Sequence, residues 1–195
     1  MLYNVCQDGI FKSVQGEGKN AGRSTVFIRL SGCNMIPKCT FCDEDFENCV
    51  QMDVESILKE IQKLEPFSMI VITGGEPTIQ DLEQLIFKLK QKRYYISIET
   101  NGINNNIPKC DWITCSPKTL NIKIAYANEL KFVINKKKDE TVNFINTILK
   151  EVRYDYICLQ PESNKEECIL TCLELINENP NFNLSLQQHK FINIK

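Results

Sequence analysis

The amino-acid sequence predicts an α/β fold in which helices pack on a mostly parallel sheet. Three observations carry that expectation. Apolar runs of strand length alternate with segments of helical period along most of the chain. The run Ser68–Thr73, "SMIVIT", is apolar almost throughout, as a strand buried on both faces must be. Glycine, proline and polar clusters follow the apolar runs instead of preceding them. No composition break, linker or repeat divides the 195 residues, so a single domain over residues 1–195 is expected.

Ser24–Leu30 reads as the first strand. Asp53–Leu64 has helical period, and the Asp53 carboxylate is suited to cap its free backbone amides. After the strand Ser68–Thr73, Thr78–Lys92 is periodic and ends in a basic turn that complements the helix dipole. Further strands are expected at Tyr94–Thr100, Asp111–Cys115, Glu129–Ile134, Tyr154–Gln160 and Phe182–Gln187. Helices over Glu140–Glu151 and Lys165–Glu178 separate the later ones. In a parallel sheet the strand C-termini share an edge, where α/β folds place their active sites. "SGCN", "TGGEP", "ETNG", "SPK", "QPE" and "QQHK" all follow strands and should line that edge.

A net charge of −2 argues against an electrostatically driven nucleic-acid binder. No apolar run reaches the roughly 20 residues of a membrane span, and "MLYNVCQDG" lacks a signal peptide's apolar core. A cytoplasmic protein with reduced thiols is expected. Seven of its ten cysteines, Cys6, Cys49, Cys110, Cys115, Cys158, Cys168 and Cys172, share no spacing and read as small core residues.

The other three, Cys33, Cys39 and Cys42, fall within ten residues. With a fourth ligand such as Cys49 or His189 they would form a structural zinc site and a zinc-stabilised binding module. As three thiolates on a 4Fe–4S cluster they would leave one iron open to a small molecule. Phe41, between the last two cysteines, offers a flat apolar ring that can pack on an adenine. Gly74 and Gly75 permit close approach of the backbone, with bare carbonyls to accept from a ligand ammonium. A plain strand–turn–helix with Glu76 as a helix-start acid is the simpler alternative.

The cysteines after the first strand, the aromatic before the last cysteine and "GGEP" after the second strand resemble the radical S-adenosylmethionine (SAM) superfamily. The resemblance implies an abbreviated, partial βα barrel. Its open iron binds SAM, and one electron splits the sulfonium to methionine and a 5′-deoxyadenosyl radical. The chain departs from the usual pattern in one spacing: five residues, "NMIPK", separate the first two cysteines instead of three. This insertion must bulge outward.

"IFKSVQGEG", "VFIRLSGCN", "SPK" and "SLQQHK" together resemble the 7-carboxy-7-deazaguanine synthases from the N-terminal segment to the last residues. That family converts 6-carboxy-5,6,7,8-tetrahydropterin to 7-carboxy-7-deazaguanine, contracting the ring and losing ammonia, towards queuosine and other deazapurines. The resemblance implies SAM contacts at Phe41, Asp43, Gly74, Gly75, Glu76, Glu99, Asn101, Ser116, Lys118 and Gln160. It implies substrate contacts at Gln15, Gly16, Glu17, Arg29, Thr73, Gly74 and His189, and at the carboxylate of Lys195. It also implies magnesium, a homodimer and an electron donor such as flavodoxin or ferredoxin.

The residue chemistry suits a pterin. Gln15 and Glu17 can accept from its amidine-like N–H edge, although "QGEG" also reads as a glycine-rich surface turn. Arg29 shares a strand face with Phe27 and needs a partner, either a substrate carboxylate or an internal acid such as Glu17 or Glu99. The family's magnesium-binding hydroxyl after Cys-Asp is replaced here by Glu44, a hard oxygen ligand or a source of repulsion towards the substrate carboxylate. Glu44 keeps open a different small radical SAM enzyme, a paralogue or activase with another substrate.

Overall fold

A computed structural model describes residues 1–42, 45, 46, 48–135 and 138–194. The chain packs as two compact units, each assembled from separate stretches. The first comprises Met1–Val14, Arg23–Thr100 and Asn106–Ile113; the second comprises Gln15–Gly22, Asn101–Asn105 and Thr114–Lys195.

The first unit holds strands β1 (Leu2–Val14), β2 (Ser24–Leu30), β3 (Cys49–Asp53), β4 (Met69–Gly74) and β5 (Ile96–Thr100), in the order β3-β1-β2-β4-β5. β2, β4 and β5 run parallel, while β1 is antiparallel to β2 and β3. Helices α1 (Val54–Gln62) and α2 (Glu83–Gln91) cover one face. Ile28, Leu30, Ile70, Ile72, Ile96 and Ile98 are buried there with Ile57, Ile61, Leu85 and Leu89. The alternate residues Phe27, Met69 and Val71 form a smaller cluster with Phe11 and Tyr95, as the period of two requires.

β1 and β3 were not anticipated. Asp8 and Gly9 interrupt the alternation of β1 and read as a turn. In the fold they form a bulge, where the register with β2 shifts between Val5 and Ile10 and Asp8 has φ 52°. A Cβ on Gly9 would lie 2.8 Å from the carbonyls of Arg29 and Cys6.

Asp53 caps α1 as expected, its carboxylate accepting from Ser56 N at 2.8 Å. The helix expected over Thr78–Lys92 is instead a 3₁₀ turn at Pro77–Ile79 followed by α2. Gln80 is extended between them, and its side chain bonds Asn4 N, Asn4 O and Ser31 O at 3.0–3.1 Å. Those tertiary bonds outcompete helical continuity. Leu82 at the N-cap of α2 has no side-chain oxygen to offer; Asp81 Oδ1 accepts from Glu83 N at 3.0 Å, and the Tyr3 hydroxyl from β1 accepts from Leu85 N at 3.2 Å.

The second unit contains β7 (Tyr126–Ile134), β8 (Arg153–Pro161) and β9 (Phe182–Leu184), with helices α3 (Lys138–Glu151), α4 (Glu166–Glu178) and α5 (Gln188–Phe191). β6 (Trp112–Cys115) ends in it, giving the parallel order β6-β7-β8-β9. Leu130, Phe132, Ile134, Ile157 and Leu159 are buried with Ile145, Ile148 and Leu175 from the helices. Both units have open sheets; neither closes into a barrel. No helix among the described residues is long and apolar enough to cross a membrane.

Replacing Tyr3 with Phe keeps the packing and strands the Leu85 amide in a buried site. The urea midpoint should fall by an amount equivalent to about 1 kcal/mol, with an unchanged m-value.

Candidate functional site

In the first unit the parallel register aligns Leu30 of β2 with Gly74 of β4, bringing "SGCN" beside "GGEP". Gly74 has φ 131°, and a Cβ there would lie 2.0 Å from Leu30 O. A Cβ on Gly75 would lie 2.0 Å from Gly32 O and 3.1 Å from Cys33 Cβ. The glycine pair therefore admits the neighbouring backbone itself. Gly75 N donates to Leu30 O at 3.1 Å and Glu76 N to Gly32 O at 2.9 Å.

Glu76 is 1% exposed, and its Oε1 accepts from Thr78 N, Thr78 Oγ1 and Thr100 Oγ1 at 3.1, 2.6 and 2.8 Å. This carboxylate ties the turn after β4 to the end of β5. Thr73 Oγ1 meets Glu99 Oε2 at 3.3 Å on the same edge. Arg29 lies on the Phe27 face, with its guanidinium 5.0 Å from the Phe11 ring centroid.

The cysteine loop is closed by the Phe46 carbonyl, which accepts from the Ser31 hydroxyl and from Gly32 N. Cys33, Cys39 and Cys42 form no disulfide among the described residues and are half-buried, and Phe41 is half-buried too. Cys42 N donates to Cys39 O at 3.0 Å, so one turn presents both thiols. Ile36, Pro37 and Lys38 are exposed, so the insertion bulges outward as expected. Asp43 and Glu44 lie outside the described residues.

Among the described residues no three His, Cys, Asp or Glu side chains are grouped to hold a single metal ion. The three thiols of this loop, with Cys33 beside the side-chain-free Gly75 backbone, suit a 4Fe–4S cluster held by three cysteines. Of the scattered cysteines, Cys6, Cys115, Cys158, Cys168 and Cys172 are buried as expected, whereas Cys110 is half-buried and Cys49, on the edge strand β3, is exposed and not a core residue. Burial raises the thiols of Cys158 and Cys168, and pushes Cys110 to about 11 and Cys172 to about 12.

In the second unit the "QGEG" segment is tied down by strand-end side chains. Glu17 forms a buried ion pair with Lys131 of β7, and its Oε1 accepts from Gln187 Nε2 at 2.8 Å. Gly18 N donates to Ser185 Oγ at 2.8 Å, and Lys19 N to Glu129 Oε2 at 3.0 Å. Gln15 Oε1 accepts from Glu17 N at 3.2 Å. A Cβ on Gly16 would lie 2.3 Å from His189 Nδ1, so this glycine seats the imidazole. Gln160 is buried, its Oε1 3.4 Å from Ser185 Oγ. Lys118 Nζ donates to Ser116 Oγ at 2.6 Å, and Asn101 Oδ1 accepts from Ile103 N at 3.0 Å. Lys195 lies outside the described residues.

Burial would raise the Glu17 carboxyl, but Lys131, the Gln187 amide and His189 outweigh it and hold the group below its ordinary range. Glu129, Lys131, Ser185 and Gln187 were not singled out in the sequence. The signal for Glu129 and Lys131 was present in "ELKFVI", where two charges occupy alternate positions of an otherwise apolar run, and Ser185 and Gln187 lie within the "SLQQHK" motif. Alternation puts Glu129 and Lys131 on one face and Leu130 and Phe132 on the other.

Residues 27–175 match the family model of the Radical SAM superfamily, and the chain belongs to that superfamily. It is 36% identical to the 7-carboxy-7-deazaguanine synthase of Bacteroides thetaiotaomicron, over 95% of this chain and 96% of that protein. The corresponding synthase of Haemophilus influenzae is 35% identical, over 99% and 94%. The crystal structure of QueE from Escherichia coli superposes with a TM-score of 0.78 at 28% identity, covering 97% of this chain and 95% of that one. The chain is a member of the 7-carboxy-7-deazaguanine synthase family.

Lys131→Met leaves the Glu17 carboxylate buried without its cation and should cost ~3–5 kcal/mol in chemical denaturation; adding Glu17→Gln should return most of that loss. The pair adds stability above the ordinary carboxyl value of 4.5 and loses it as pH falls towards about 2, so Glu17→Gln alone should flatten the acid limb of a melting-temperature profile.

Proposed function

We propose that the protein converts 6-carboxy-5,6,7,8-tetrahydropterin to 7-carboxy-7-deazaguanine with loss of ammonia, in the synthesis of queuosine and other 7-deazapurines. The observation that carries this reading is the near end-to-end match to a synthase, 95% of one chain against 96% of the other. Cys33, Cys39 and Cys42 would hold a 4Fe–4S cluster. Once bound, that cluster supplies the electron that splits SAM and generates the radical for hydrogen abstraction.

The residues of each unit have distinct tasks. In the first, Phe41, Gly74, Gly75 and Glu99 would bind SAM, with Asp43 beside them in sequence. Glu76 would act there by holding the glycine turn through Thr78 and Thr100. Arg29 and Thr73 would take the substrate carboxylate and ring, and Gly74 its N–H groups through the carbonyl. In the second, Asn101, Ser116, Lys118 and Gln160 would complete the cofactor contacts. Gln15 and Glu17 would accept from the pterin amidine edge, Gly16 would leave room for His189 to contact the ring, and the Lys195 carboxylate would close the contact set.

Glu44 would hold magnesium as a hard oxygen ligand. A homodimer in the cytoplasm, reduced by flavodoxin or ferredoxin, completes the reading. The other reading, a paralogue acting on a different heterocycle, is favoured only by Glu44 in place of a hydroxyl residue.

Anaerobic reconstitution followed by turnover of 6-carboxy-tetrahydropterin tests the proposal directly. Wild-type protein should become brown and release 7-carboxy-7-deazaguanine and ammonia. Cys33→Ala should keep its far-ultraviolet circular dichroism while losing the cluster absorption and all turnover. A colourless, zinc-loaded wild type would refute the reading. Glu44→Thr should alter the magnesium concentration needed for half-maximal turnover; an identical response in both proteins would show that Glu44 does not touch the metal.

A further inference from the structure

Gln187 Oε1 is buried without a hydrogen-bond partner among the described residues. The other end of the same amide donates to Glu17, and the Gln187 backbone is clamped from both sides by Asn164. Asn164 Oδ1 accepts from Gln187 N at 3.0 Å, and Asn164 Nδ2 donates to Gln187 O at 3.1 Å. Turning the amide over would aim its oxygen at the Glu17 carboxylate, so the orphaned acceptor cannot be cured locally. An orphaned buried acceptor is destabilising, and a leucine would fill similar space without that penalty. Packing therefore does not explain Gln187; its bond to Glu17 does.

Lys131 presents the same case in charged form. It is 5% exposed on β7, where an ammonium is costly without its partner. Lys131 binds Glu17 Oε2 and Gln187 binds Oε1. Each bond uses one acceptor position of a carboxylate that has about four.

We infer that Lys131 and Gln187 are positioning residues that hold Glu17 as a fixed, ionised acceptor for amidine-type N–H donors of the substrate heterocycle. The inference rests on the pterin reading above. The groups acting on Glu17 are Lys131 on β7, His189 on α5 and the Gln187 amide; Glu129 on β7 instead accepts from Lys19 N and acts, with Lys131 and Lys19, on Cys158 of β8. Of these, Lys131 is its direct ion-pair partner.

The test is binding of 6-carboxypterin, an oxidised and unreactive analogue, to the full-length protein by calorimetry from acid to neutral pH. Gln187→Leu should melt close to wild type, because one hydrogen bond and one orphaned acceptor vanish together, yet bind roughly ten- to a hundredfold more weakly. Lys131→Gln should bind only at higher pH than wild type, since burial would then raise Glu17 against Gln187 and His189 alone, and Lys131→Arg should restore the profile. Affinities like wild type in both Gln187→Leu and Lys131→Gln would overturn the inference. Failure of the wild type to bind the probe would instead sink the pterin reading. Carbon-13 titration of the Glu17 carboxylate then decides alone: equal midpoints in wild type and Lys131→Gln refute the positioning role, and a raised midpoint in the variant upholds it.

Discussion

The first unit depends on a close backbone approach that only glycine permits. The end of β4 passes so near the end of β2 that side chains at 74 and 75 would collide with the carbonyls of Leu30 and Gly32. With both absent, two backbone hydrogen bonds link the turns, and Cys33 comes to rest against the Gly75 backbone. The cysteine loop, the Phe46 carbonyl that closes it and the Glu76 carboxylate that stiffens the neighbouring turn all build on that approach. A loop meant to offer partly exposed thiols needs a rigid base, and here the base is sheet backbone.

The second unit uses a different device. One face of its sheet is apolar and packs on helices; the other carries Glu129, Lys131, Gln160 and Ser185, all buried under the "QGEG" segment. Such a face is costly unless every group finds a partner. Backbone amides of Gly18 and Lys19 and the Glu17 carboxylate supply many of them. The segment is therefore specified by electrostatics and hydrogen bonds, and its glycines are needed because Glu129 and His189 occupy the space of their side chains.

The same environmental logic sorts the ten cysteines. Desolvation disfavours the thiolate in the buried ones, which suits packing and not chemistry. The three in the loop stay half-buried and within reach of a ligand. Spacing separated the two groups in the sequence; burial in the fold sets Cys6, Cys115, Cys158, Cys168 and Cys172 apart from the trio, whereas Cys49 is exposed and Cys110 half-buried.

By itself the sequence determined the strand–helix alternation, the placement of motifs at strand ends, the cysteine trio and the outward bulge of the "NMIPK" insertion. These are local properties, written in apolar period, spacing and turn residues within a few positions of one another. It did not reveal β1, whose bulge at Asp8 and Gly9 imitates a turn, or the break between Pro77 and α2, which Gln80 makes by bonding to Asn4 and Ser31. Nor did it reveal that Glu17 belongs with Lys131 and Gln187, 114 and 170 residues away in the chain. Pairings of that kind arise only when parallel strands align their ends, because the partner of a buried charge is chosen by register and burial and leaves no mark in the residues beside it.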